Sequence, residues 1–305
     1  MVHTKKEQNF STNSLALKVG PYQICPVPTG EFGLDGGAMF GTVPRVLWEK
    51  SNPPDSQNRI RMEARALLLK SPSKNILIDA GNGGDFIAKY GEKLGGKFAE
   101  MYNVDETGPT LLKSLAQHGL GPDDIDFVIL THLHFDHCGG ATKAEGSSII
   151  PAFPRARYFI QKRNLESARN PNLRERASYF SINFQPLIDA NQIEVLDGPL
   201  DNLLPHISVF VSDGHTQGQQ LVKVSDGVNT LVYCGDLIPT SSHIRLAWIM
   251  GYDLNPLQII SEKQKLLNEA AEKKWYLFFE HDPCADCAQV VSTGHDFIVS
   301  ERYIL

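Results

Sequence analysis

The 305-residue sequence contains no apolar run long enough to cross a bilayer, for which roughly 20 residues are needed. Its most apolar stretches, such as Phe127 to Leu130 and Leu277 to Phe279, are far shorter, so no membrane partner is expected. Cysteine is scarce: Cys25, Cys138, Cys234, Cys284 and Cys287 are scattered, which excludes a disulfide framework and makes a reducing, cytoplasmic setting the expectation. Positive charge is not in excess either. Twenty-nine Lys and Arg against 35 Asp and Glu leave a formal charge of -6, which argues against a nucleic-acid partner. Residues 1–20 lack the apolar stretch of a secretory signal and read as a polar tail. Gly36-Gly37 and Gly83-Gly84 lack the strand–GxGxxG–helix context of a dinucleotide site, and Cys284-x-x-Cys287 has no second pair to complete a structural zinc site. With no repeat, low-complexity tract or linker, residues 21–305 are expected to be one domain.

What the chain has is alternation of strand and helix patterns. Tyr22 to Val27 reads as a strand followed by a glycine-rich loop from Thr29 to Gly41. Ala64 to Lys70 and Asn75 to Ile78 read as strands around the turn Ser71-Pro72-Ser73. Helical spacing marks Thr110 to His118, Gln161 to Ala177 and Pro256 to Lys274. Four further apolar segments suit buried strands: Ile125 to Leu130, Ile207 to Ser212, Thr230 to Cys234 and Trp275 to Phe279. Each of these four runs directly into a candidate metal ligand.

The densest of these is His132-x-His134-x-Asp136-His137, four ligand-type residues within six positions. Neutral imidazoles suit zinc and similar divalent ions, and carboxylates help neutralise two close cations. His132 and His134 can face one ion from an extended turn, while Asp136 and His137, past the bend, face another. His215, Asp236 and His281 end the other three strands and are the natural completions.

The series HxHxDH, Gly214-His215-Thr216-Gln217-Gly218, Gly235-Asp236 and His281 resembles the metallo-β-lactamase superfamily in order and approximate spacing. That resemblance implies an α/β fold, a four-layer αββα sandwich. It implies one ion on His132, His134 and His215, a second on Asp136, His137 and His281, and Asp236 bridging them. Asp79, in Ile-Asp-Ala-Gly, matches an Asp that braces the metal loop from behind. His134 stands where flavodiiron oxidoreductases carry Glu, and Asp236 is the bridge that β-lactamases themselves lack, so neither branch fits.

Longer stretches, from Leu34 to Lys50, Arg169 to Phe180, Gly235 to Thr240 and Met250 to Pro256, resemble the YtnP-type quorum-quenching lactonases, with methyl parathion hydrolases as more distant relatives. The expectation is a dinuclear-metal hydrolase that opens N-acyl homoserine lactones. Two divalent ions, zinc first and iron, cobalt or manganese as alternatives, would share a hydroxide that attacks the carbonyl, with Asp136 and Asp236 as the catalytic carboxylates. An arylesterase or phosphotriesterase using the same site is the alternative, and a non-catalytic binding module a third reading. Well-known homoserine lactonases carry a Tyr where this chain has Pro239, so His243 or Tyr252 is expected to supply a polar substrate contact instead. Met39, Phe40 and Trp248 are candidate acyl-chain contacts. The expected partner is a small lactone or ester, and a homodimer is left open.

Overall fold

The computed structural model describes residues 12–104 and 108–305. Two mixed sheets stack face to face. The seven-stranded sheet runs Ile193–Leu196, Arg157–Gln161, Phe127–Ile129, Asn75–Ile78, Arg59–Lys70, Tyr22–Asp35, Lys18–Val19. The eight-stranded sheet runs Thr12–Ser14, Phe297–Ile304, Cys287–Ser292, Tyr276–Phe278, Thr230–Tyr233, Gln219–Ser225, Ile207–Ser212, Leu200–Leu204.

Alternation along the strands explains the layering, because successive side chains point to opposite faces. Leu67, Leu69, Ile76 and Ile78 meet Val222, Val224, Leu231 and Tyr233 in the core between the sheets. Their neighbours Ala66, Leu68 and Leu77 point outward, under Leu111 and Leu115 of the helix Leu111–Gln117 and Leu165 of Lys162–Arg169. On the other side Val232, Cys234 and Leu277 pack under Ile259, Leu266, Leu267 and Ala270 of the helix Pro256–Lys273. The result is the four-layer αββα sandwich expected from the resemblance. No described helix is long and apolar enough to cross a membrane, and all five cysteines are free thiols.

Three local expectations need correction. Of the expected tail, residues 1–11 lie outside the described residues, but Thr12–Ser14 and Lys18–Val19 are strands, anchored by the burial of Leu17 and Val19. The glycine-rich loop is mostly ordered: the strand Tyr22–Asp35 continues through it, paired with Arg59–Lys70, and Asp35 then caps the short helix Gly36–Phe40 by accepting from Ala38 N at 2.8 Å. The helix expected over Gln161 to Ala177 stops at Arg169, because Pro171 disfavours helical backbone at Asn170.

The strap Asp79 to Gly83 fixes the loop that carries the densest motif. Ala80 N donates to His137 O at 2.7 Å and Gly140 N to Gly81 O at 3.0 Å. The two backbones approach so closely that a Cβ on Gly139 would stand 2.0 Å from the Asn82 carbonyl oxygen. Gly139→Ala is therefore expected to cost about 3 kcal/mol or more of stability, read from denaturant unfolding. A loss within error would show that the strap and loop separate without penalty.

Candidate metal centre

Four strand ends meet at one rim of the sandwich. His132, His134, Asp136 and His137 follow Phe127–Ile129 of the seven-stranded sheet, whereas His215, Asp236 and His281 follow Ile207–Ser212, Thr230–Tyr233 and Tyr276–Phe278 of the eight-stranded sheet. All seven are buried. Ligand atoms of His132, His134, His215 and Asp236 lie within 4.8 Å of one another, and so do those of Asp136, His137 and His281.

Asp236 stands between the two groups. Its Oδ2 is 3.2 Å from His215 Nε2 and 3.9 Å from His132 Nε2, while its Oδ1 is 3.4 Å from His137 Nε2 and 3.3 Å from His281 Nε2. Asp136 Oδ2 is 3.7 Å from His281 Nε2.

The outer nitrogen of each ring shows which way its lone pair points. His281 Nδ1 donates to the Glu63 carbonyl at 2.8 Å, since a carbonyl only accepts. His215 Nδ1 donates to Asp253 Oδ1 at 3.0 Å. His137 Nδ1 lies 3.0 Å from Asp79 Oδ2 and 2.8 Å from Glu280 Oε2. Thr131 Oγ1 gives its proton to Asp79 Oδ2 at 2.6 Å and so accepts from His132 Nδ1 at 3.0 Å. The Nε2 atoms of these four rings, and His134 Nδ1, are left facing inward with lone pairs. His134 Nδ1 is only 3.1 Å from His132 Nε2 and 3.2 Å from His215 Nε2. Nitrogens held about 2.0–2.1 Å from one tetrahedral zinc are separated by roughly 3.3 Å, so the donor set has the spacing that a cation requires.

Electrostatics divide the rings. Burial, together with neighbouring imidazoles, holds His132 well below the usual histidine range, and burial also lowers His134. For His137, His215 and His281 burial acts in the same direction, but nearby carboxylates outweigh it and hold them above that range. Asp236, despite its burial, is kept well below the carboxylate range by His137 and His215. Glu280 is pushed up to about 8 by burial and by Asp79. The Tyr233 hydroxyl faces both Glu280 and the Arg65 carbonyl, the latter at 3.0 Å, and ties Glu280 into a buried polar network.

Asp79 stands where a bracing residue was expected. It is fully buried at a left-handed φ of 58°, and accepts from Thr131 N and Thr131 Oγ1, each at 2.6 Å. The expected substrate contacts divide. Met39 and Tyr252 line the cleft over the centre, along with Leu34, Met62, Phe135 and Met250. His243, Phe40 and Trp248 are not in its lining: His243 Nε2 donates to Met39 O at 2.8 Å and its ring stacks on Phe40 at 4.6 Å, while Trp248 meets the Phe40 edge at 5.6 Å. Burial takes the His243 pKa down to about 3, so that ring is a neutral prop beneath Met39.

Several residues at the centre were not singled out from sequence. Glu280 precedes His281 directly, an adjacency that could have drawn attention to it. Glu175 Oε1 sits 3.6 Å from His134 Nε2 and accepts from Thr216 and Tyr179. Asp253, 38 positions from His215, and Tyr102, in the cleft wall, gave no local signal because only tertiary packing brings them there.

The metallo-beta-lactamase superfamily model matches residues 63–281, and the chain belongs to that superfamily. It is thus a metal-dependent hydrolase by family. An N-acyl homoserine lactonase AttM from Azorhizobium caulinodans is 25% identical over 260 residues, 83% of this chain and 92% of its own length. Among solved structures, a probable metal-dependent hydrolase from Staphylococcus aureus is 28% identical with a TM-score of 0.82, covering 94% of this chain and 100% of that one. AidC, a dizinc quorum-quenching lactonase in complex with a product, shares the fold with a TM-score of 0.74 at 22% identity, covering 96% and 99%. Superfamily membership and the clustered donors together point to divalent metal ions.

Thr131→Val keeps the side chain's shape and removes the hydroxyl that ties Asp79 to His132. Divalent-ion affinity, measured by competition with a chromogenic chelator, is expected to fall about 10- to 100-fold. Unchanged affinity would mean that His132 needs no orienting partner.

Proposed function

We propose that the chain is a dinuclear-metal hydrolase that opens lactone rings, with N-acyl homoserine lactones as its substrates, and that residues 21–305, together with the two strands before them, act as one catalytic domain. The observation that carries this reading is the division of Asp236, one carboxylate oxygen facing each ligand group, beneath a cleft with an apolar wall. The names of the AttM and AidC relatives support the substrate class. In this reading His132, His134 and His215 hold one ion, Asp136, His137 and His281 the other, and Asp236 is shared, with zinc the first candidate. Two such ions supply Lewis acidity and hydroxide near neutral pH.

The remaining work falls to side chains. Met39, Met62, Phe135 and Met250 receive the acyl group and keep water from the reacting carbonyl. Asp136 lines the same cleft and is the second catalytic carboxylate of this reading. Water adds to the carbonyl carbon, the ring carbon–oxygen bond breaks, and Asp236 passes the nucleophile's proton to the departing oxygen, leaving a hydroxy acid. Tyr252, 39% exposed at the mouth, offers a phenol to the substrate's polar end. Its pKa is raised, chiefly by burial, so it stays a donor at neutral pH.

Chelation is expected to abolish turnover, divalent metal to restore it, and combined His132→Ala and His134→Ala to remove it permanently. Full turnover by verified metal-free protein would sink the mechanism. Assayed side by side on a homoserine lactone, an aryl ester and an organophosphate, the protein should prefer the lactone. Turnover of the phosphotriester alone would transfer the reading to the alternative.

Acid should empty the centre unequally. In the Asp136 group two rings, His137 and His281, are held above the usual range and take up protons as pH falls, against one, His215, in the His132 group, where His132 and His134 lie below it and stay neutral. Protons compete with cations for the same lone pairs, so affinity drops as pH drops. Metal analysis after equilibration across the mildly acidic range should pass through a one-ion state retaining the His132 group. Simultaneous loss of both ions would contradict this order.

A further inference from the structure

The loop from Arg245 to Asp253 supplies three cleft residues, Met250, Gly251 and Tyr252, and the carboxylate that orients His215. Its inner support is unusual. Lys263, on the helix Pro256–Lys273, is completely buried, and its ammonium donates to three backbone carbonyls: Arg245 O at 2.7 Å, Leu246 O at 3.4 Å and Trp248 O at 2.8 Å. Among the described residues no carboxylate lies within ion-pairing distance of it. A buried ammonium is costly, and burial pulls this one down to about 7. An apolar residue at this helical position would serve the adjoining core, where Ile259, Leu266 and Leu267 already pack. The three carbonyls are what an apolar residue could not hold.

Besides Lys263, Asp296 Oδ1 accepts from Leu246 N at 2.9 Å, and further ties of the loop converge on the cleft. Gly251 N donates to Ala38 O at 2.7 Å, next to Met39, and Met250 N donates to Asp253 Oδ2 at 2.9 Å. Arg174 reaches the carbonyls of Gly251 and Asp253 from the cleft rim. These contacts fix the shape of the turn from Met250 to Asp253. Lys263 fixes where the stretch before it lies.

We propose that Lys263 is a positioning residue for the substrate cleft, using its three carbonyl contacts to hold the 245–248 stretch so that Met250 and Tyr252 form the cleft wall. The inference rests on the proposed function only for the choice of substrate. Lys263→Met removes the donors while keeping an unbranched side chain. Lys263→Gln retains N–H donors without charge, and is the variant to read if the first does not fold.

Two measurements decide the matter. Hydrogen exchange of the amides of Trp248, Met250 and Gly251 should accelerate about tenfold or more in Lys263→Met and less in Lys263→Gln. With a short-chain and a long-chain homoserine lactone, KM for the long-chain substrate should rise about tenfold, and by more than KM for the short-chain one. Unchanged exchange, or equal losses on both substrates tracking only a lower Tm, would overturn the proposal. If the unsubstituted protein opens no lactone, the function reading fails separately. The kinetic comparison then moves to short and long acyl esters, and the exchange measurement stands without any substrate.

Discussion

The structure turns on the outward hydrogen bonds of four of the five imidazoles at the centre. A histidine offers a lone pair from one nitrogen only when the other keeps its proton, and here that proton is assigned by groups that do not move: a strand carbonyl for His281, Asp253 for His215, Asp79 and Glu280 for His137, and Thr131 for His132. The cost is a crowd of buried polar groups. Asp79 is held at a left-handed backbone angle, Glu280 is fully buried against Tyr233, and His134 Nε2 faces Glu175 without a hydrogen bond. Local order is sacrificed where the inward geometry demands it.

The fold's part is to deliver these groups without slack. Each candidate ligand follows a short strand that is paired on both sides, which fixes the backbone leading into it. The strap from Asp79 to Gly83 adds a second layer of support, and its glycines allow main chain to lie against main chain.

Much of this was legible in the sequence, for identifiable reasons. Ligands clustered by chain position, such as His132 to His137, and those announced by an apolar strand just before them, such as His215, Asp236 and His281, leave a local imprint. The four-layer sandwich was implied by the family resemblance, and the alternation of apolar runs with helical ones was in keeping with it. What escaped is tertiary in origin. Glu175 and Asp253 reach the centre from irregular segments with no periodicity, and the helix that should have contained Glu175 was broken earlier by Pro171. His243 misled because its position downstream of Asp236 suggested a substrate contact, whereas stacking on Phe40 and bonding to Met39 O turn it inward.

The ligands also come from both sheets. The HxHxDH turn belongs to one, and His215, Asp236 and His281 to the other, so any ion bound by both sides acts as a clasp between halves that otherwise meet through an apolar core and a few buried polar links such as Gln161 to Gln220 and Tyr233 to the Arg65 carbonyl. A clasp ties the fate of each half to its neighbour: the sheets cannot slide or part without surrendering ligands, and loaded protein is driven toward unfolding as a single unit. Chemistry and mechanical integrity then share the same few atoms.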